Sequence, residues 1–105
     1  SRVGWVELPQ HAVRGADVVY TDVWASMGQE ADRSERLEAF AEYQVNEELM
    51  GHAKPDAIFM HDMPAHPGEE LAKGLLKDPR SIVFDQAENR LHAQAGLLDY
   101  LFSAG

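Results

Sequence analysis

The 105-residue sequence predicts an α/β fold, a partial doubly wound parallel sheet flanked by helices, and its apolar patterning carries that expectation. Short apolar runs rich in β-branched and aromatic residues recur along the chain, and segments with helical spacing of apolar residues lie between them. The runs are continuous rather than alternating, the pattern of strands covered on both faces in parallel sheets. Their order with the helices, strand then helix three times over, is the one that builds right-handed crossovers. The expected arrangement is Rossmann-like.

The first strand is expected in Asp17-Val18-Val19-Tyr20-Thr21-Asp22-Val23-Trp24, the second in Ala57-Ile58-Phe59-Met60 and the third in Ser81-Ile82-Val83-Phe84. A weaker fourth candidate is Val3-Gly4-Trp5-Val6. A short helix over residues 10–14 would stop at Gly15, and residues 34–43 place Leu37, Phe40 and Ala41 on one helical face. Asn46 suits the cap of a helix over 47–52, and Gly68 precedes an expected helix carrying Leu71, Leu75 and Leu76. The last helix, residues 88–102, aligns Leu91, Ala95, Leu98 and Phe102, with Leu97 and Leu101 beside the stripe. The chain opens directly into sheet-forming sequence, which reads as a domain cut on its amino-terminal side.

Nine basic residues against eighteen acidic ones give a formal charge of -9. Such a surface repels phosphate backbones and anionic lipid, so neither nucleic acid nor membrane is an expected partner. The absence of cysteine rules out disulfides, thiolate nucleophiles and cysteine metal sites. No apolar run approaches the roughly 18 residues that span a bilayer, and a cytoplasmic location is the expectation. Among the five histidines there is no H-E-x-x-H pattern, so no metal site is expected. His11, His52, His66 and His92 read as structural or surface residues.

Each expected strand ends in polar groups: Asp22, then His61-Asp62, then Asp85. Loops at the carboxyl ends of parallel strands converge on a crevice where ligands bind. Carboxylates gathered there suit a cationic ligand such as an amino group; equally, acids there cap the following helices, the plainer reading of Asp85. The loop Ala25-Ser26-Met27-Gly28 offers a hydroxyl and backbone N–H groups to a carboxylate, with Asp22 placed for the α-ammonium of the same ligand. Arg90, in the first turn of the expected last helix, opposes the helix dipole. It either binds an anion or pairs with Asp85 or Glu88.

Four segments then carry a resemblance. Asp22-Val23-Trp24-Ala25-Ser26-Met27-Gly28-Gln29-Glu30 resembles the D-x-W-x-S-M-G loop of ornithine carbamoyltransferases, and Tyr43-Gln44-Val45-Asn46 their Y-Q-V-N segment. Phe59-Met60-His61-Asp62-Met63-Pro64-Ala65-His66 is similar to their F-M-H-C-L-P-A-H strand end, and residues 84–94 to their last strand and final helix. The four are collinear and cover nearly the whole chain. The resemblance implies that residues 1–105 are the carboxy-terminal part of an ornithine-binding domain, with the carbamoyl-phosphate domain absent. It also implies the reaction of the parent enzyme, transfer of the carbamoyl group of carbamoyl phosphate to the δ-amine of L-ornithine, giving citrulline and phosphate. No metal or organic cofactor is implied, and the parent would be a homotrimer.

By the same resemblance Asp22 binds the ornithine α-amino group, and Ser26 and Met27 hold its carboxylate end. Asp62, with the Met63 backbone beside it, lies by the reacting amine and the carbamoyl group. Arg90 polarises the carbamoyl oxygen, where negative charge develops. Two departures stand out: the family's cysteine is Asp62, and its leucine is Met63. Met for Leu preserves volume. A carboxylate holds a proton less well than a thiol near neutral pH, and its charge favours ammonium, which is not a nucleophile. Pro67 stands where an arginine is common. The family's S-T-R-T and H-P-x-Q segments do not occur, so the chain alone is expected to be inactive. Two alternatives remain: an ornithine-binding paralogue without catalysis, and a sister transcarbamoylase with another amine acceptor.

Overall fold

A computed structural model describes residues 2–25 and 32–103. The elements in chain order are α1 (Pro9–Ala12), β1 (Val18–Thr21), α2 (Arg33–Phe40), α3 (Glu47–Met50), β2 (Ile58–His61) and α4 (Val83–Ser103). Among the described residues, the 3-10 turns Ala41–Tyr43 and Leu75–Lys77 join them. The strands pair in parallel, Val18 opposite Ile58 through Thr21 opposite His61. The expected α/β class holds, as a small parallel sheet with helices around it.

One face of the sheet is packed and the other is open. Val19, Phe59 and His61 point into a core completed by Val45, Leu49, Met50, Ala57, Leu71, Leu75 and Val83. Val18 and Tyr20 face the other way, about half exposed. The continuous apolar runs, expected to be covered on both faces, are therefore covered on one.

The third expected strand, Ser81 to Phe84, is reduced to a single parallel bridge between Ser81 and Phe59. The Phe59 N–H donates to the Arg80 carbonyl at 2.8 Å, and the Ile82 N–H returns to the Phe59 carbonyl at 3.1 Å. The chain then turns helical, because the Ser81 hydroxyl accepts the Val83 N–H and the Gln86 N–H bonds to the Ile82 carbonyl. Residues after Gly68 also depart from the expected helix. Backbone bonds from Val45 N–H to the Glu70 carbonyl and from Ala72 N–H to the Val45 carbonyl hold Leu71 extended. Gly74, at φ 89°, then breaks the path before the 3-10 turn. Residues 3–6 are exposed and form no strand. The Tyr43-Gln44-Val45-Asn46 segment has structural tasks: Gln44 Nε2 donates to the Glu69 carbonyl, and Asn46 caps α3 by accepting the Leu49 N–H.

α4 leaves this core. Only Val83 along it is buried, while Leu91, Leu98 and Phe102 are 66%, 54% and 84% exposed. Its 21 residues make a shaft of roughly 31 Å. The radius of gyration, 16.4 Å, accordingly exceeds the roughly 13 Å of a compact chain this long. No helix among the described residues is long and apolar enough to cross a membrane.

This division predicts opposite outcomes for two substitutions, read by urea unfolding. Phe59→Ala empties a fully buried position and should cost about 3–5 kcal/mol. Leu98→Gln lies on the exposed shaft and should change stability by no more than about 0.5 kcal/mol. A pH dependence follows from the turn before α4, where Asp78 accepts the Arg80 backbone N–H at 2.8 Å. That bond, with help from the Arg80 guanidinium, holds the Asp78 carboxyl below the usual carboxylate range. Its stabilisation is complete above the unfolded value of about 4 and is lost as pH falls through the lower folded value. Asp78→Asn should therefore flatten the fall in unfolding midpoint between about pH 5 and pH 2.

Candidate functional site

The carboxyl ends of β1 and β2 lie side by side because the two strands run parallel in register. Asp22 follows Thr21 directly, and Asp62 follows His61. Both carboxylates are exposed, and among the described residues neither pairs with a lysine or arginine. Asp22 Oδ1 accepts the Val23 N–H at 2.7 Å, a contact between adjacent residues at the strand end.

The stretch after β2 is tightly specified. His61 is 1% exposed, and its Nε2 lies 2.8 Å from Glu70 Oε1, itself in a residue 1% exposed. The Met63 N–H donates to His61 Nδ1 at 2.8 Å. That bond requires an unprotonated Nδ1, so Nε2 carries the ring proton and donates to Glu70. Glu70 Oε1 also accepts the His66 N–H at 2.8 Å. Met63 has φ 55°, a left-handed conformation unusual for a side-chain-bearing residue, and the Met63–Pro64 bond is cis. The bond from Met63 to His61 holds that backbone in place.

α4 is fastened to the same rim by one side chain, as Gln86 Oε1 accepts the His61 N–H at 3.0 Å. One turn further along, Arg90 overlooks a depression of about 310 Å³ lined by Tyr20, His61, Asp62, Gln86, Ala87 and Arg90. A second depression, about 550 Å³, is lined by Asp22, Val23, Ala25, Asp62, Met63, Pro64 and His66. Asp62 is common to both, so the expected single pocket is two adjoining clefts with Asp62 as the shared wall.

The sequence expectations sort accordingly. Asp22, Asp62 and Met63 share one cleft, and Asp62 and Arg90 share the other. Ser26 and Met27 lie outside the described residues. Arg90 is not in the first turn of the last helix: α4 begins at Val83, so Arg90 is its eighth residue and does not oppose the dipole. The error came from extending the third strand through Phe84. Neither Asp85 nor Glu88 pairs with Arg90; Glu88 instead approaches His92 at 3.3 Å. Asp85 sits in the first turn of α4, where an acid is favoured. Glu70 and Gln86 were not singled out from sequence, although both hold the strand end. Nothing in the sequence separates Glu70 from Glu69; the structure does, by near-complete burial and by its bonds to His61 and His66. No group of three or more His, Asp or Glu placed to hold a metal occurs among the described residues.

Residues 2–101 match the family described as aspartate/ornithine carbamoyltransferase, Asp/Orn binding domain. The ornithine carbamoyltransferase of Thermococcus kodakarensis is 61% identical over 90 residues, which are 86% of this chain and 29% of that protein. Its counterpart from Burkholderia lata is 56% identical over 95 residues, 90% of this chain and 31% of that one. The solved ornithine carbamoyltransferase of Pyrococcus furiosus superposes with a TM-score of 0.82 at 56% identity, covering 90% of this chain and 30% of its own. The chain thus spans about three-tenths of the length of these relatives. On its match across residues 2–101, this chain belongs to the aspartate/ornithine carbamoyltransferase family, as part of the Asp/Orn-binding domain.

Proposed function

We propose that this chain supplies the amino-acid half of an ornithine carbamoyltransferase, in which carbamoyl phosphate and the δ-amine of L-ornithine yield citrulline and phosphate. The observation that carries the reading is the place of Asp62, which walls both the cleft containing Asp22 and the cleft containing Arg90. An amine donor lying along such a path has an acid for its α-ammonium at Asp22 and its reacting end at Asp62. Arg90 then stands on the far side of Asp62, where the carbamoyl oxygen gathers negative charge. The relatives named ornithine carbamoyltransferase support ornithine as the acceptor. In the complete protein the cytoplasm is the proposed location and a homotrimer the proposed assembly.

The chemistry differs from the family pattern at one atom group. A carboxylate at Asp62 stabilises the protonated amine, so the fraction of free amine falls at a given pH. Binding survives this change better than turnover does. The family's S-T-R-T and H-P-x-Q segments do not occur in these residues, so proximity of the two substrates is not supplied by this chain alone.

Grafting the chain in place of its counterpart in the Pyrococcus furiosus enzyme tests the reading by citrulline formation. The graft is expected to turn over, with Asp62→Cys raising kcat on the order of 10²-fold, within the range of general acid–base effects. The limb of the pH–rate profile that rises with pH should lie at higher pH in the Asp62 form than in Asp62→Cys, because a neighbouring negative charge raises an amine's proton affinity. No citrulline from either graft would sink the carbamoyl-transfer reading, whereas ornithine binding without turnover in the Asp62 form alone would favour a non-catalytic role. The 105-residue chain by itself should release no citrulline at any substrate concentration. A turnover signal that co-purifies with it would overturn that expectation.

A further inference from the structure

We propose that Arg36 is a positioning residue that sets Asp22 against Asp62, an inference that rests on the amino-acid-binding role proposed above. The argument starts where β1 ends. Beyond Thr21 the visible bonds are local: the Thr21 hydroxyl donates to the Asp22 carbonyl at 3.3 Å, and Asp22 Oδ1 accepts the Val23 N–H. Such contacts join adjacent residues and leave the direction of the segment relative to the sheet open.

Direction is supplied from α2. Arg36 Nη1 donates to the Trp24 carbonyl at 3.0 Å, two residues beyond Asp22, from a half-buried position. The Trp24 ring lies 6.0 Å from that of Phe40, also on α2, with the planes inclined by 37°. A charge-assisted donor and a ring contact from one helix therefore hold the backbone that carries Asp22.

α2 is itself referenced to the other half of the cleft. Arg33 pairs with the Glu69 carboxylate, and Gln44 just beyond the helix bonds to the Glu69 carbonyl. The next residue, Glu70, holds His61 and the loop behind Asp62. Asp22 and Asp62 thus trace back to one dipeptide, Glu69–Glu70, by two routes. The Asp22 route passes through Arg36. Arg36 lines neither cleft; its task is the distance between two carboxylates that grip opposite ends of one substrate.

Two measurements test this. In the 105-residue chain, hydrogen exchange of the Val23 amide, which donates to Asp22 Oδ1, should quicken at least about tenfold in Arg36→Met, with the Phe59 amide unchanged. An unchanged rate at Val23 would overturn the anchor, whatever the chain binds. In the graft described above, with Asp62 in place, Arg36→Met should raise KM for L-ornithine about tenfold. There kcat and the KM for carbamoyl phosphate should stay within about twofold, and Arg36→Lys should recover part of the loss. An unchanged ornithine KM, or an equal rise for both substrates, would overturn the positioning role. A graft that makes no citrulline before Arg36 is touched would sink the functional reading and the positioning role with it, while the exchange experiment still decides the anchor.

Discussion

His61 and Glu70 meet in the core at 2.8 Å, each about 1% exposed, and the sheet's outgoing rim is built outward from that contact. A buried carboxylate without donors is costly, so the ring proton and the His66 N–H that Glu70 accepts are conditions for its burial. Leaving such an acceptor unpaired costs about 1–3 kcal/mol, and more when it is charged. The imidazole turns this constraint into geometry. With Nε2 committed to Glu70, Nδ1 has a lone pair to offer, and the Met63 N–H takes it. The left-handed Met63 backbone and the placement of Asp62 follow from which ring nitrogen carries the proton.

The same economy of contacts organises the rest of the site. His61 gives its ring to Glu70 and Met63 and its backbone N–H to Gln86, so strand end, following loop and α4 share one reference point. Glu69, next in sequence to Glu70, takes Arg33 and through its carbonyl Gln44. Adjacent acids with different partners thus divide the labour: one locks the core side, the other secures a surface helix. Asp62 can stand exposed between two clefts because everything immediately behind it is fixed.

Much of this was legible in sequence, and the failures have physical reasons. Val18–Thr21 and Ile58–His61 declared themselves because β-branched and aromatic residues in short apolar runs have few alternatives in water. Asn46 announced a helix start through its side-chain acceptor, and the structure uses it so. Ser81 to Phe84 misled because an apolar run of four fits a strand and the buried first turn of a helix equally well; the Ser81 hydroxyl decided for the helix. The stretch around Leu71 misled in the opposite sense: leucines at helical spacing are held extended by backbone bonds to Val45, a pairing between residues distant in sequence. Tertiary hydrogen bonds overrode local propensity in that case. At the site, Asp22 and Asp62 stood out as strand ends, whereas Arg90 drew notice through a first-turn position that it does not hold. Glu70 and Gln86 did not stand out, since an acid or an amide on a helix or loop looks the same in sequence whether it is buried or bathed in solvent.

The shaft of α4 gives the molecule two tiers of order. Its base is fastened by Val83 and by the bond between Gln86 and the His61 N–H, whereas residues 87–103 are exposed. A helix held only by its own backbone bonds opens from its free end at little cost, independently of the domain it grows from. Arg90 stands one turn above the last fastening. In this chain the cationic side of the site is thus placed by the helix's own backbone bonds, and its acidic side by the strand ends.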